Sequence, residues 1–152
     1  MLEYNSSVWS PFFLKDINKI ESVQRKFTKH LPGLYNTPYL ERLRTLGMET
    51  LEERRIRLDL ILMYKIVRGL VDLDFQKLFS FNLNNTRGHR YKVNIPIGRL
   101  NCKKFSFVNR VARIWNALSD NVVGSNTLEK FKLALKDVDV RRFCKGCAHI
   151  SV

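Results

Sequence analysis

Acidic residues are scarce in this chain of 152 residues: Asp and Glu number 14 against 27 Lys and Arg, a formal charge of +13 with a pI of about 10.0. Such a field attracts polyanions, nucleic acid first among them. Cysteine is sparse and odd in number (Cys102, Cys144 and Cys147), and no signal-like stretch precedes it. That pattern argues against a disulfide framework and for a reducing, intracellular compartment, nucleus or cytoplasm. The sequons Asn5-Ser6-Ser7 and Asn84-Asn85-Thr86 then carry no meaning. Long hydrophobic runs are missing as well. The longest, Leu58 to Val67, is broken by Asp59 and Lys65 and is too short to span a bilayer, so no membrane partner is expected. Internal repeats and low-complexity tracts are absent.

Catalytic constellations are lacking too. GLYNTP and TRGHRY have neither the spacing nor the lysine of a phosphate-binding loop. Asp72 and Asp74 sit at a helix boundary, where caps are common, rather than as a pair for two-metal chemistry. His30, His89 and His149 have no nucleophile at informative spacing. The residues describe a binder, not a catalyst, and imply no cofactor.

What is present is a chain that folds: 45% hydrophobic and 11% aromatic, long enough for one domain or two small subdomains. Its first thirteen residues crowd Leu2, Tyr4, Val8, Trp9, Phe12 and Phe13 together, as if a core began there. After Pro11, Asp16 caps a helix whose Ile17, Ile20, Val23, Phe27 and Leu31 recur at helical spacing. Lys15, Lys19, Arg25, Lys26 and Lys29 fall mostly on its other side, and Pro32-Gly33 stops it. Thr37-Pro38 opens a short helix that leaves at Gly47. Thr50-Leu51-Glu52-Glu53 is a capping box, and Ile56, Leu60, Met63, Tyr64 and Val67 carry the next helix to Gly69. Leu58, Ile61, Leu62 and Ile66 make its other flank apolar, so it reads as central and buried on two sides. Asp74 caps a turn, FQKLF.

From Ser80 to Asn101 the helical period vanishes, and NNTRGHRYKVNIPIGRLN reads as a loop with one or two short strands. Helical period returns at Phe105, with Phe107, Val108, Val111, Ile114, Trp115 and Leu118 on one face. Asn126 and Glu129 cap a last helix bearing Leu128, Phe131 and Leu135, and DVDVRRFCKGCAHISV follows as a loose tail. The expectation is a mainly α fold: a small bundle of about five helices with a basic loop and short-strand insertion around 80–101. Trp9, Phe27, Leu60, Met63 and Trp115 are its expected core.

Residues 87–113 hold Arg87, Arg90, Lys92, Arg99, Lys103, Lys104, Arg110 and Arg113 without one acid, with Tyr91, Phe105 and Phe107 interleaved. Cations neutralise phosphates and release counterions, while aromatic faces stack on unpaired bases. Phe107 belongs to the helical stripe and is read as core. The basic stretch, together with the cations of the first helix, is the candidate nucleic-acid surface. Cys144, Cys147 and His149 are a weak metal candidate. A structural zinc needs four ligands, and only Cys102 or His89 remains to complete the set, so a free-thiol tail is the preferred reading.

Five stretches occur in one order: LEYNSSVWSP, DINKIESVQRKFTKHLPGL, YLERLRTLGMETLEERRIRLDLILMYKIVRGLVDL, TRGH and FVNRVARIWNALSDNVVGSNTLEKFKLAL. From Leu2 to about Leu135 this series resembles the C-terminal part of the reverse transcriptase (RNA-directed DNA polymerase) of non-LTR, LINE-type retrotransposons of the jockey-like group. The resemblance implies a thumb, the helical bundle that grips a primer–template duplex by its backbone, and the connector behind it. It would divide the chain into a palm-to-thumb remnant at 1–14, a thumb-like subdomain at 15–79, a basic loop at 80–104, a helical connector at 105–136 and a flexible tail at 137–152. The helices Asp16–Leu31 and Leu51–Arg68 would be thumb helices. Fingers, palm, catalytic aspartates and endonuclease are not in this sequence. The family's WNxLP stands here as Trp115-Asn116-Ala117-Leu118-Ser119, and the tail does not reproduce a zinc knuckle. The resemblance therefore implies a truncated mobile-element fragment without catalysis that retains a basic surface for RNA or DNA, either primer–template duplex or element RNA. The rival expectations are a helical interaction module that docks on an intact polymerase copy through its N-terminal aromatics, and a degenerate copy with no function.

Overall fold

The computed structural model describes residues 3–82, 88–95 and 100–146. They are mainly helical, and five helices of seven or more residues carry the fold: α1 (Leu14–Lys29), α2 (Tyr39–Thr45), α3 (Leu51–Val67), α6 (Phe107–Asn116) and α8 (Leu128–Lys136). Single turns α4 (Phe75–Leu78), α5 (Asn101–Lys104) and α7 (Asp120–Val123) fill the connections. Among the described residues the 80–101 insertion contains one antiparallel bridge, Phe81 with Val93, rather than the expected strands. Two compact units result, one built from the chain up to Ile56 together with the segment from Val140, the other from Arg57–Asp139. The boundary falls inside α3.

In the first unit the local signals behave as their chemistry dictates. Thr50 and Glu53 form the reciprocal capping box: Thr50 N donates to Glu53 Oε2 at 2.8 Å, and Glu53 N donates to Thr50 Oγ1 at 3.2 Å. Gly47, at φ +62°, closes α2, with Met48 N on Leu43 O and Gly47 N on Arg44 O. The rotation of α1 departs from expectation. Its buried residues are Ile17, Glu21, Gln24 and Thr28, while Val23 and Phe27 are 49% and 64% exposed. The helix turns its polar side inward because a hydrogen-bond network is available there. Tyr39 Oη donates to Glu21, Leu51 N donates to Glu21 Oε2 at 3.0 Å, and Gln24 Nε2 reaches Tyr39 Oη and Glu49 O at 3.1 and 3.0 Å. Glu21 thus satisfies an orphan N–H at the start of α3, where the helix dipole favours an anion. Burial nevertheless pushes the Glu21 carboxyl above its usual range, against the bonds from Tyr39 and Leu51, and pushes the Tyr39 phenol up as well. Asp16 is not the cap of α1: Phe13 holds that position and makes no side-chain bond.

The tail is held where the sequence suggested looseness. Val140 is buried, Arg141 Nε meets Glu53 Oε1 at 2.6 Å, and the backbone N–H groups of Lys145 and Gly146 each donate to Glu52 at 2.8 Å. The acids of the capping box therefore serve two segments. At the other end, Glu3 pairs with Arg54 at 2.6 Å and Ser6 is buried. Tyr4, Val8 and Phe13 face outward at 74%, 75% and 57% exposure, and Trp9 is 43% exposed under the Arg55 guanidinium. Neither Trp9 nor Phe27 is core.

The second unit has the core expected of it. Leu60, Met63, Val111, Trp115 and Phe131 are fully buried, with Tyr64 stacked on Phe131 at 4.3 Å. On α3, Leu58 is 38% exposed, so that helix is not closed on every side. Gly69 at φ +64° ends it, with Leu70 N on Lys65 O and Gly69 N on Ile66 O. Asp74 caps α4 through Gln76 N. Thr127, not Asn126, caps α8, accepting from Lys130 N.

Candidate nucleic-acid interface

Helix α1 carries one cation face. Lys15, Lys19, Arg25, Lys26 and Lys29 are all exposed, and among the described residues none of them is ion-paired. From Lys15 to Lys29 the face extends about 21 Å, near six base-pair rises of a duplex. Arg25 lies over the Tyr39 ring at 5.1 Å and Lys29 over Tyr35 at 4.8 Å. Two of the charges are thus oriented by aromatic faces. Val23 lies four residues from Lys19 and three from Lys26, and Phe27 lies three from His30, all on the exposed surface, so apolar groups lie among the cations.

In the second unit the basic segment is mounted on α6. Trp115 and Asn116 hold residues 89–93 by four bonds: His89 Nε2 with Trp115 O at 3.0 Å, Trp115 Nε1 to Tyr91 O at 2.8 Å, Val93 N to Asn116 Oδ1 at 2.9 Å, and Asn116 Nδ2 to Val93 O at 2.8 Å. This is the physical content of the adjacent Trp-Asn pair. The indole packs inward while both polar groups grip an extended segment that has no sheet of its own. His89 is buried, and burial lowers its pKa despite the bond to Trp115, with Lys92 acting in the same direction. It is therefore less charged at neutral pH than a free imidazole. Gly88, at φ +114°, has the Lys92 side chain where a Cβ would stand, 2.8 Å from Cε.

The expected site residues divide accordingly. Arg90, Lys103 and Lys104 are exposed; Lys92 is half-buried against Gly88; Lys104 lies over Phe105 at 5.5 Å. Arg110 is not part of a free basic surface. Its Nε and Nη2 bind the two oxygens of buried Asp59 at 2.7 and 3.2 Å, so the pair is bidentate and internal. Arg87 and Arg99 lie outside the described residues, as do Cys147 and His149 of the weak metal candidate. Cys144 is half-buried with its thiol near Val140 O at 3.7 Å. Among the described residues no group of three or more His, Cys, Asp and Glu is placed to hold a metal, and no helix is long and apolar enough to cross a membrane.

Sequence reading overlooked Arg68. At the C-terminus of α3 its guanidinium lies 5.4 Å from the Tyr64 ring centroid and 4.9 Å from that of Tyr91. Arg90 approaches the same Tyr91 ring at 5.0 Å. A helix-terminal arginine reads locally as a favourable charge on the dipole, and nothing in its neighbourhood along the chain announces a tyrosine in a distant loop.

Comparison with models of protein families gave no match, and comparison with curated proteins and with solved structures gave none either.

Proposed function

We propose that this chain is a non-catalytic piece of a LINE-type retrotransposon reverse transcriptase, its thumb and connector region, which binds RNA or DNA by the sugar–phosphate backbone without regard to sequence. The observation that carries the reading is the α1 face: five exposed cations, none ion-paired among the described residues, on a chain of formal charge +13. Exposed Arg90, Lys103 and Lys104 supply further cations in the second unit. The five collinear motifs support the family origin. Two motifs far apart in sequence also meet, since His89 of TRGH bonds to Trp115 of WNAL. Binding is by counterion release, so affinity falls steeply with salt.

Fluorescence anisotropy with an RNA–DNA hybrid duplex tests this. For every phosphate that the protein no longer neutralises, the slope of log affinity against log salt should shrink by about 0.9. Charge reversal of Lys19, Lys26 and Lys29 together, or of Arg90 with Lys92, is expected to weaken binding. Undetectable binding at low salt, or wild-type affinity in both variants, defeats the proposal. A primer-extension assay on the chain alone should be blank.

A second reading, an interaction module for an intact polymerase copy, is favoured by one observation, the outward Tyr4, Val8 and Phe13 on an anchored segment. Light scattering after size exclusion addresses it; a monomer that ignores polymerase partners counts against it.

A further inference from the structure

Tyr91 accepts from two arginines at once. Arg68 Nη1 is 3.4 Å and Arg90 Nη2 3.1 Å from its hydroxyl oxygen, and both guanidiniums also lie over the ring. A phenolic oxygen has two lone pairs and one proton. With both lone pairs taken by the arginines, the proton is left to donate, and no acceptor meets it among the described residues. Neither arginine is ion-paired among those residues. Three donors and two positive charges therefore converge with no carboxylate ion-paired to them among the described residues.

The cluster is also held in place. Arg68 Nη2 is fixed to Val123 O and Ser125 O at 3.3 and 3.0 Å, and the Tyr91 carbonyl accepts from the Trp115 indole. Only Arg90 is exposed, which leaves one open side. Planar guanidinium forks suit phosphate oxygens, and charge-assisted bonds to them are stronger than those to a neutral hydroxyl. Two like charges accept such close company around one ring most readily when an anion joins them.

We infer that Arg68, Arg90 and Tyr91 form a binding site for one phosphate group, with the Tyr91 hydroxyl donating to one oxygen and the two guanidiniums to the others. The shared chemistry is a phosphate, either one link of a nucleic-acid backbone or a free phosphate. The first source rests on the function proposed above, and the site itself does not.

The experiment has two arms on the full chain. In the first, the ring signals of tyrosine are followed by NMR while inorganic phosphate replaces chloride at constant ionic strength, with Tyr91 assigned through Tyr91→Phe. A saturable shift at Tyr91, abolished in Arg90→Gln while the other tyrosine signals stay at their wild-type positions, is expected. In the second, Arg90→Gln is compared with wild type on the hybrid duplex, where the salt slope should fall by about one. Absence of a saturable phosphate response at wild-type Tyr91 overturns the site even if the duplex binds, and the proposed function then stands without it. A phosphate response in a chain that does not bind duplex overturns the backbone source and the proposed function, while the phosphate site stands. Arg68→Lys, which keeps the charge but loses the fork, should weaken the phosphate response; an unchanged response removes Arg68 from the site.

Discussion

Arg110→Gln separates structural charge from binding charge in the basic stretch. Asp59 is 2% exposed and both its oxygens accept from Arg110, whose own side chain is 21% exposed. Removing the arginine strips a buried carboxylate of a bidentate partner, a change that typically costs about 3–5 kcal/mol. Water reaches the outer edge of Arg110, so the lower end applies, about 3 kcal/mol. For a chain near 150 residues each kcal/mol lowers Tm by about 2–4 °C, so a fall of about 6–12 °C is expected by calorimetry. Asp59→Asn combined with Arg110→Gln should recover part of the loss, because the uncompensated charge is gone. Duplex affinity and its salt slope, measured well below the transition, should match wild type. A Tm within about 2 °C of wild type, together with a salt slope reduced by about one, would refute the reasoning and return Arg110 to the nucleic-acid surface.

Three further perturbations probe the fold. Glu53 is held below the usual carboxylate range because, although burial opposes its charge, the Thr50 and Arg141 bonds outweigh that cost. Its stabilising contribution is therefore present above the unfolded-state pKa of about 4.5 and lost as pH falls through the lower folded-state value. Urea denaturation should find Glu53→Gln destabilising at pH 7 and progressively less so below about pH 4.5; a difference that grows on acidification contradicts the assignment. Gly69→Ala places a Cβ at φ +64° and should cost about 1–2 kcal/mol by the same assay, whereas no loss would mean the α3 terminus is not left-handed. Phe27→Ser should change stability by no more than about 0.5 kcal/mol and Trp115→Ala by about 3–5 kcal/mol. Comparable losses from the two would put the Phe27 stripe back into the core.

Much of the helical layout was legible because its signals are local. Thr50 and Glu53 find each other within one turn, Asp74 reaches Gln76, and Gly47 and Gly69 adopt their left-handed conformations whatever lies beyond them. The core stripe of α6 was equally plain, since Val111, Ile114 and Trp115 recur on one face and are buried there. The rotation of α1 was not legible. Periodicity shows that Ile20, Val23 and Phe27 share a side; it does not show whether another element covers that side or whether Tyr39 and Leu51 N offer Glu21 a better inward contact. The looseness attributed to residues 137–152 failed for the part described for the same reason, because Glu52 and Glu53 receive the tail from far along the chain.

A mainly helical chain, most of its helix boundaries, a strong positive field and the clustering of cations without acids follow from the order of residues alone. These properties depend on neighbours within a turn or on charge summed over the chain, and both survive any arrangement of the helices. Which cations are left for a partner is a different matter, settled by packing. Folding paired Arg110 with Asp59 across α3 and α6, set Lys92 against Gly88, and brought Arg68 to Tyr91 and Arg90. An ion pair or a phosphate site is a matter of a few ångströms between residues distant in sequence, and that distance exists only once the helices have packed.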